Sequence, residues 1–139
     1  MFSKTCEYAI RALVLIAKNS LAGGVVSQRE ITEKLQSPDA FTAKIVQQLS
    51  KHKFVKSIKG PTGGYFIEEV DMQKIKMLDI VRIFDGEDLT NRCVLGLTNC
   101  SNENPCAFHH KFLPIREKLN KELMHCSLHQ LVIDNQNMK

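Results

Sequence analysis

The chain has no uninterrupted apolar run approaching the length that crosses a bilayer. Its opening residues, Met-Phe-Ser-Lys-Thr-Cys-Glu, carry charge before the apolar residues become periodic, so no export signal is visible. These two absences exclude a membrane-spanning protein and predict a cytoplasmic one. No acid and base are paired in a recognisable pocket motif, and an enzyme is therefore not expected. The glycines at 60, 63 and 64 lack a following Gly-Lys-Ser/Thr, which removes a phosphate-cradling nucleotide loop. There is also not one acid between Ala40 and Ile67, where five lysines stand (Lys44, Lys51, Lys53, Lys56 and Lys59). The formal charge of the whole chain is +4, so everything outside that window nets −1. Positive charge so concentrated suits a polyanionic partner, because each lysine that neutralises a phosphate releases condensed counterions. A solvated lysine face is the plainer alternative. Finally, the five cysteines are an odd number. Without an export signal, and in a reducing compartment, they speak for metal or redox chemistry rather than structural disulfides.

With 139 residues and 43% apolar composition, the chain can build one domain with a real core and an appended dimerisation element. From Lys4 to about Ser20, the residues Cys6, Ala9, Ile10, Leu13, Ile16 and Ala17 recur at three- and four-residue spacing, predicting a core helix. Cys6 lies on that stripe as a small buried hydrophobe, and Glu7 and Arg11 stand four apart, as an ion pair would. Val25-Val26 is long enough only for a single bridge. Ser27-Gln28-Arg29-Glu30 then matches a capping box and opens a second helix. After Ser37 and Pro38, a cap and a first helical residue, a third helix follows. Phe41, Ile45 and Leu49 form its inner stripe, leaving Thr42, Lys44, Gln47, Gln48 and Lys51 outward. Two short helices joined this tightly form a helix-turn-helix pattern whose second helix enters the major groove. Ser27 and Gln28 join its DNA-contacting set. The stretch from Phe54 to Ile67 reads as a β-hairpin wing with Lys59, Thr62, Gly63 and Gly64 at its tip, where glycines permit positive φ and backbone N–H groups approach phosphate.

Ile75, Leu78, Val81 and Phe84 predict one short helix closed by Gly86. The turn-rich stretch from Cys93 to His110 then holds Cys93, Cys100 and Cys106, and such a loop can bring several thiolates to one metal. Phe108, Phe112, Ile115 and Leu119 follow at the spacing of a helix that pairs with another, with Pro114 predicting a kink or a helix start. Residues from Asp134 to Lys139 are polar and expected to fray. The fold class expected is mainly α with a small β-hairpin wing. Residues 1–86 would be a winged helix-turn-helix DNA-binding domain, 87–110 a cysteine-rich loop, and 111–139 a dimerisation helix and tail.

The N-terminal helix, the helix-turn-helix, the Lys59-Gly60-Pro61-Thr62-Gly63-Gly64-Tyr65 wing and the Cys93/Cys100/Cys106 loop together resemble the Rrf-two family of bacterial transcriptional regulators, of the IscR and NsrR type. The resemblance implies a homodimeric winged-helix repressor or activator that binds a double-stranded DNA operator. It also implies an iron–sulfur cluster, 2Fe-2S or 4Fe-4S, that senses nitric oxide, redox state or cluster supply. Position by position, Cys93, Cys100 and Cys106 match the three cluster cysteines, and His109 matches the histidine of a 2Fe-2S site. Glu7 of the partner subunit matches the acidic fourth ligand of a 4Fe-4S site. Two departures stand out: six residues rather than five separate Cys93 from Cys100, and Ala43 stands where the cluster regulator has a glutamate. Zinc, held by three thiolates and an imidazole, and a metal-free thiol switch with Arg92 beside Cys93 are the alternatives for the same loop.

Overall fold

Helix α1 (Lys4–Leu21) is the element on which the others are laid, in a computed structural model that describes residues 1–134. Ser3 caps it, its Oγ accepting from the Cys6 N–H at 3.1 Å. The whole expected stripe is buried, and Ala12 and Val14 are buried beside it, so α1 is covered over more of its circumference than one amphipathic face. Full burial of side chains such as Leu13 and Ile16 is worth about 1.5–3 kcal/mol each. Glu7 pairs with Lys4 at 3.5 Å, not with Arg11, whose guanidinium lies 5.4 Å over the Tyr8 ring.

Helices α2 (Gln28–Leu35) and α3 (Asp39–Lys51) form the helix-turn-helix. Only half of the capping box forms: Ser27 Oγ accepts from the Glu30 N–H at 3.2 Å. Gln36 ends α2 in the left-handed region at φ 52°. Pro38 is the cap of α3 rather than its first residue, its carbonyl accepting from the Thr42 N–H at 3.0 Å. Ser37, displaced from the capping role, is buried and hydrogen-bonds the Thr42 hydroxyl.

Strands β1 (Lys56–Ile58) and β2 (Gly64–Phe66) pair antiparallel, Lys56 opposite Phe66 and Ile58 opposite Gly64. Val26 adds the expected single bridge: its N–H donates to the Tyr65 carbonyl at 3.0 Å and its carbonyl accepts from the Tyr65 N–H at 2.7 Å. The wing is thereby stitched to the lead-in of α2. Ser20 Oγ anchors its far end, accepting from the Ile67 N–H at 3.0 Å.

The single helix expected around Ile75 is two, α4 (Glu69–Lys74) and α5 (Met77–Asp85), with Gly86 closing the second. The break at Ile75 and Lys76 frees backbone groups that the C-terminal segment takes up. Met77 N–H donates to the Cys126 carbonyl at 2.9 Å, and Leu128 N–H donates to the Ile75 carbonyl at 2.8 Å. A periodicity argument cannot see such a break, because Ile75 stays buried on either account. The short α6 (Asp88–Asn91) precedes the cysteine loop. Helix α7 (His109–His125) runs through Pro114 instead of beginning there. Helix α8 (Leu128–Asp134) turns back onto α1 and α4, burying Leu128 and Val132 in the common core. The polar tail expected at 135–139 lies outside the described residues.

Candidate metal centre and nucleic-acid interface

The loop between α6 and α7 brings its three thiols together. The Sγ atoms of Cys93, Cys100 and Cys106 all lie within 4.8 Å of one another, and those of Cys93 and Cys106 are 3.7 Å apart. Local chain geometry explains the convergence. Gly96 takes φ 76° and its N–H donates to the Cys93 carbonyl at 2.9 Å, turning the chain back. Ser101 Oγ accepts from the N–H groups of Glu103 and Asn104 at 3.2 and 3.1 Å, folding the second half into a tight bend. Cys106 N–H then points at Cys100 Sγ from 3.4 Å.

His109 opens α7 and is buried, with its Nδ1 3.3 Å from Cys100 Sγ and its Nε2 2.8 Å from Asn102 Oδ1. The neighbouring His110 is exposed. Glu7 of this chain is half-buried on α1 beside Lys4. The loop is tied to α7 from the other side as well. Arg116 donates to the Arg92 carbonyl at 3.0 Å, and Asn120 donates to the Thr90 carbonyl at 3.3 Å. Spacing does not single out Arg116 or Asn102, whose partners lie 24 and 7 positions away across turns.

The electrostatics differ between Cys93 and Cys100. The Leu97 backbone N–H, with that of Leu95 and the two neighbouring thiols, draws the Cys93 thiol down to about 7 against the opposing effect of burial. A substantial thiolate fraction at neutral pH is what a metal ligand requires. Cys100 is lowered by the Cys106 N–H, but burial and the adjacent thiols outweigh this and hold it above its ordinary value. Arg92 pairs with Asp88 at 3.6 Å, so the cation next to Cys93 in sequence is already engaged. A hollow of about 260 Å³ opens on Cys100 and Cys106, and another of about 270 Å³ on Cys93, Cys100, Asn102 and His109.

Two thiolates sharing one tetrahedral metal atom bound at about 2.3 Å stand roughly 3.8 Å apart. Cys93 and Cys106 already have that separation. The donor set of three thiols and a buried imidazole therefore fits a thiophilic metal atom or an iron–sulfur cluster.

On α3, Lys44, Gln47, Gln48 and Lys51 are exposed on one face as expected. Thr42 is not: it is 2% exposed, hydrogen-bonded to Ser37, and donates to the Pro38 carbonyl at 3.3 Å. The four-residue stripe of Phe41, Ile45 and Leu49 is widened by Thr42 and Val46, which places Thr42 inside. Ser27 and Gln28 are half-buried at the head of α2, the former engaged in its cap. Lys59 and Thr62 stand exposed at the wing tip. Gly63 and Gly64 have ordinary φ; positive φ falls on Gly60, at 108°. Their need for glycine is close approach instead. A Cβ at Gly63 would meet the Ile58 carbonyl oxygen at 1.9 Å, and one at Gly64 would meet Val26 backbone at 2.7 Å. The Gly63 N–H already donates to the Gly60 carbonyl at 3.0 Å.

The profile of the Rrf2 family, described as iron-dependent transcriptional regulator, matches residues 2–134. The chain belongs to the Rrf2 family. It is 34% identical over 121 residues to a protein of Aquifex aeolicus assigned as an HTH-type transcriptional regulator, covering 86% of this chain and 82% of that one. The HTH-type transcriptional regulator IscR of Escherichia coli is 28% identical over 126 residues, covering 91% and 76%. Among solved structures, CymR, the global cysteine regulator of B. subtilis, superposes with TM-score 0.79 at 23% identity, covering 96% and 97%. T. potens IscR superposes with TM-score 0.74 at 20% identity, covering 100% and 92%. The winged-helix fold is thus shared across the length of this Rrf2 chain, which is a transcriptional regulator and not an enzyme. Among the described residues, no helix is long and apolar enough to cross a membrane.

Proposed function

We propose that the protein is a homodimeric regulator of operator DNA, acting in the cytoplasm, whose binding is governed by an iron–sulfur cluster held by Cys93, Cys100, Cys106 and His109. The observation that carries this reading is the gathering of three thiols within 4.8 Å beside a buried imidazole. When bound, the cluster would supply a redox- and nitric-oxide-sensitive centre. Lys44, Gln47, Gln48 and Lys51 on α3 face the major groove, and Lys59 and Thr62 on the wing contact backbone. Thr42 holds the α2–α3 turn and is no longer among the base-reading residues. A change at the thiols reaches α7 through Cys106 and His109, and reaches the end of α6 through Arg116 and Asn120. Helix α7 packs on α5, and Phe108 at its cap and Ile115 within it, 41% and 58% exposed, meet a second copy.

A closed zinc site is the second reading, favoured by the 3.7 Å sulfur separation, which one ion also satisfies. Against it, His109 falls outside the group of three mutually close thiols, its Nδ1 lying 3.3 Å from Cys100 Sγ. Oxygen-free purification separates the two. A brown protein absorbing at roughly 320–420 nm, from thiolate-to-iron charge transfer, supports the cluster. A colourless protein that binds zinc and stays colourless after iron and sulfide are supplied overturns it. Operator binding is tested by Lys44→Glu with Gln48→Ala, which should abolish retention of duplex DNA. Unchanged retention overturns the assignment of α3.

A further inference from the structure

Resting on the cluster reading above, we infer that Asn102 is a positioning residue: it fixes the His109 ring so that Nδ1, and not Nε2, is the nitrogen offered to the metal. The amide oxygen of asparagine only accepts hydrogen bonds. Asn102 Oδ1 lies 2.8 Å from His109 Nε2, so that nitrogen carries the proton. A neutral imidazole has a single N–H, which leaves Nδ1 with a bare lone pair. Nδ1 is also the atom that faces the thiols, 3.3 Å from Cys100 Sγ. Both hydrogen bonds therefore select one tautomer and one ring orientation. Histidines that bind metals characteristically donate their second nitrogen to an outer partner, which orients the ring and raises its basicity.

The placement of Asn102 is built into the loop. The bend closed by Ser101 and Asn104, with Ser101 N–H donating to the Asn104 carbonyl at 3.1 Å, carries Asn102 at its apex and turns its side chain toward the start of α7. His109 is 7% exposed, while Asn102 is exposed. Truncating the asparagine therefore removes a partner from a buried ring without opening the core.

The first measurement uses the metal-free chain and nitrogen-15 NMR of His109. Wild type should show a protected Nε2–H, Asn102→Ala should lose it, and Asn102→Asp, which keeps an acceptor oxygen, should restore it. A wild-type ring protonated at Nδ1 overturns the inference. The second measurement uses protein reconstituted without oxygen. Pulsed EPR of the reduced cluster should show coupling to a nitrogen assigned to Nδ1. Asn102→Ala should lose its cluster to a chelator about 10- to 100-fold faster than wild type, with Asn102→Asp close to wild type. An unchanged rate in Asn102→Ala, or ligation through Nε2, overturns the role of Asn102 while leaving the cluster reading intact. A wild-type protein that assembles no cluster overturns both, whatever the tautomer, so the two failures are distinguishable by colour.

Discussion

At the scale of single residues, Thr42 shows how a polar side chain on the helix proposed to read DNA can serve the fold alone. Its hydroxyl and that of Ser37 satisfy each other inside the protein. Thr42→Val keeps the shape but strands the Ser37 hydroxyl, and should lower unfolding free energy by about 1–3 kcal/mol in urea titrations. Operator affinity of the folded fraction should stay unchanged. Cys6 makes a different kind of forecast. Burial, aided by Asp85 and Glu7, pushes its thiol from 9.0 up to about 12. The unfolded chain releases a proton that the folded one retains. Stability from this group is thus complete below about pH 9 and falls by about 1.4 kcal/mol per unit as pH climbs from there toward about 12. Cys6→Ala should flatten the alkaline arm of the stability profile relative to wild type, as chemical denaturation across that range would show.

At the scale of elements, the wing depends on backbones lying almost in contact. Gly64→Ala places a methyl group against Val26 and should detach the bridge that holds the hairpin to α2. The expected loss is about 1–3 kcal/mol of stability, typical of overpacking, with a weaker grip on DNA at a given temperature. Calorimetry and operator titration on the same sample would check both. Elements with strong period were readable from residues alone: α1 from its buried stripe, the α2–α3 pair from its punctuation, the hairpin from its glycines. Of the wing glycines, Gly60 takes the expected positive φ, whereas the need for Gly63 and Gly64 is a close backbone approach between segments, which leaves no local mark in the sequence. The split between α4 and α5 was invisible because its cause is a backbone bond to residues near 126, remote in sequence. The three cysteines mark a candidate metal centre by type and spacing, and His109 joins the candidates through family resemblance. Asn102 could not be found that way, because a turn rich in Asn and Ser makes each of them look interchangeable.

At the scale of the whole molecule, α7 is the element proposed to meet a second copy. Ile115 is 58% exposed, on a helix that also packs on α5 and α6. Ile115→Asp should convert the proposed dimer to monomers in sedimentation equilibrium and reduce operator affinity by orders of magnitude, since two half-sites must be engaged together. A dimer that survives this change would locate the interface elsewhere.

The return of α8 has one more outcome. Leu128 is 0% and Val132 7% exposed, and they seal the side of the core that α1 begins. During translation, the side of α1 that faces α8 therefore stays uncovered until residues 128–132 have been delivered, while α2 to α5 cover its other sides earlier. A nick or bulky fusion near Ser127 would therefore be felt at α1, the helix on which the helix-turn-helix is laid.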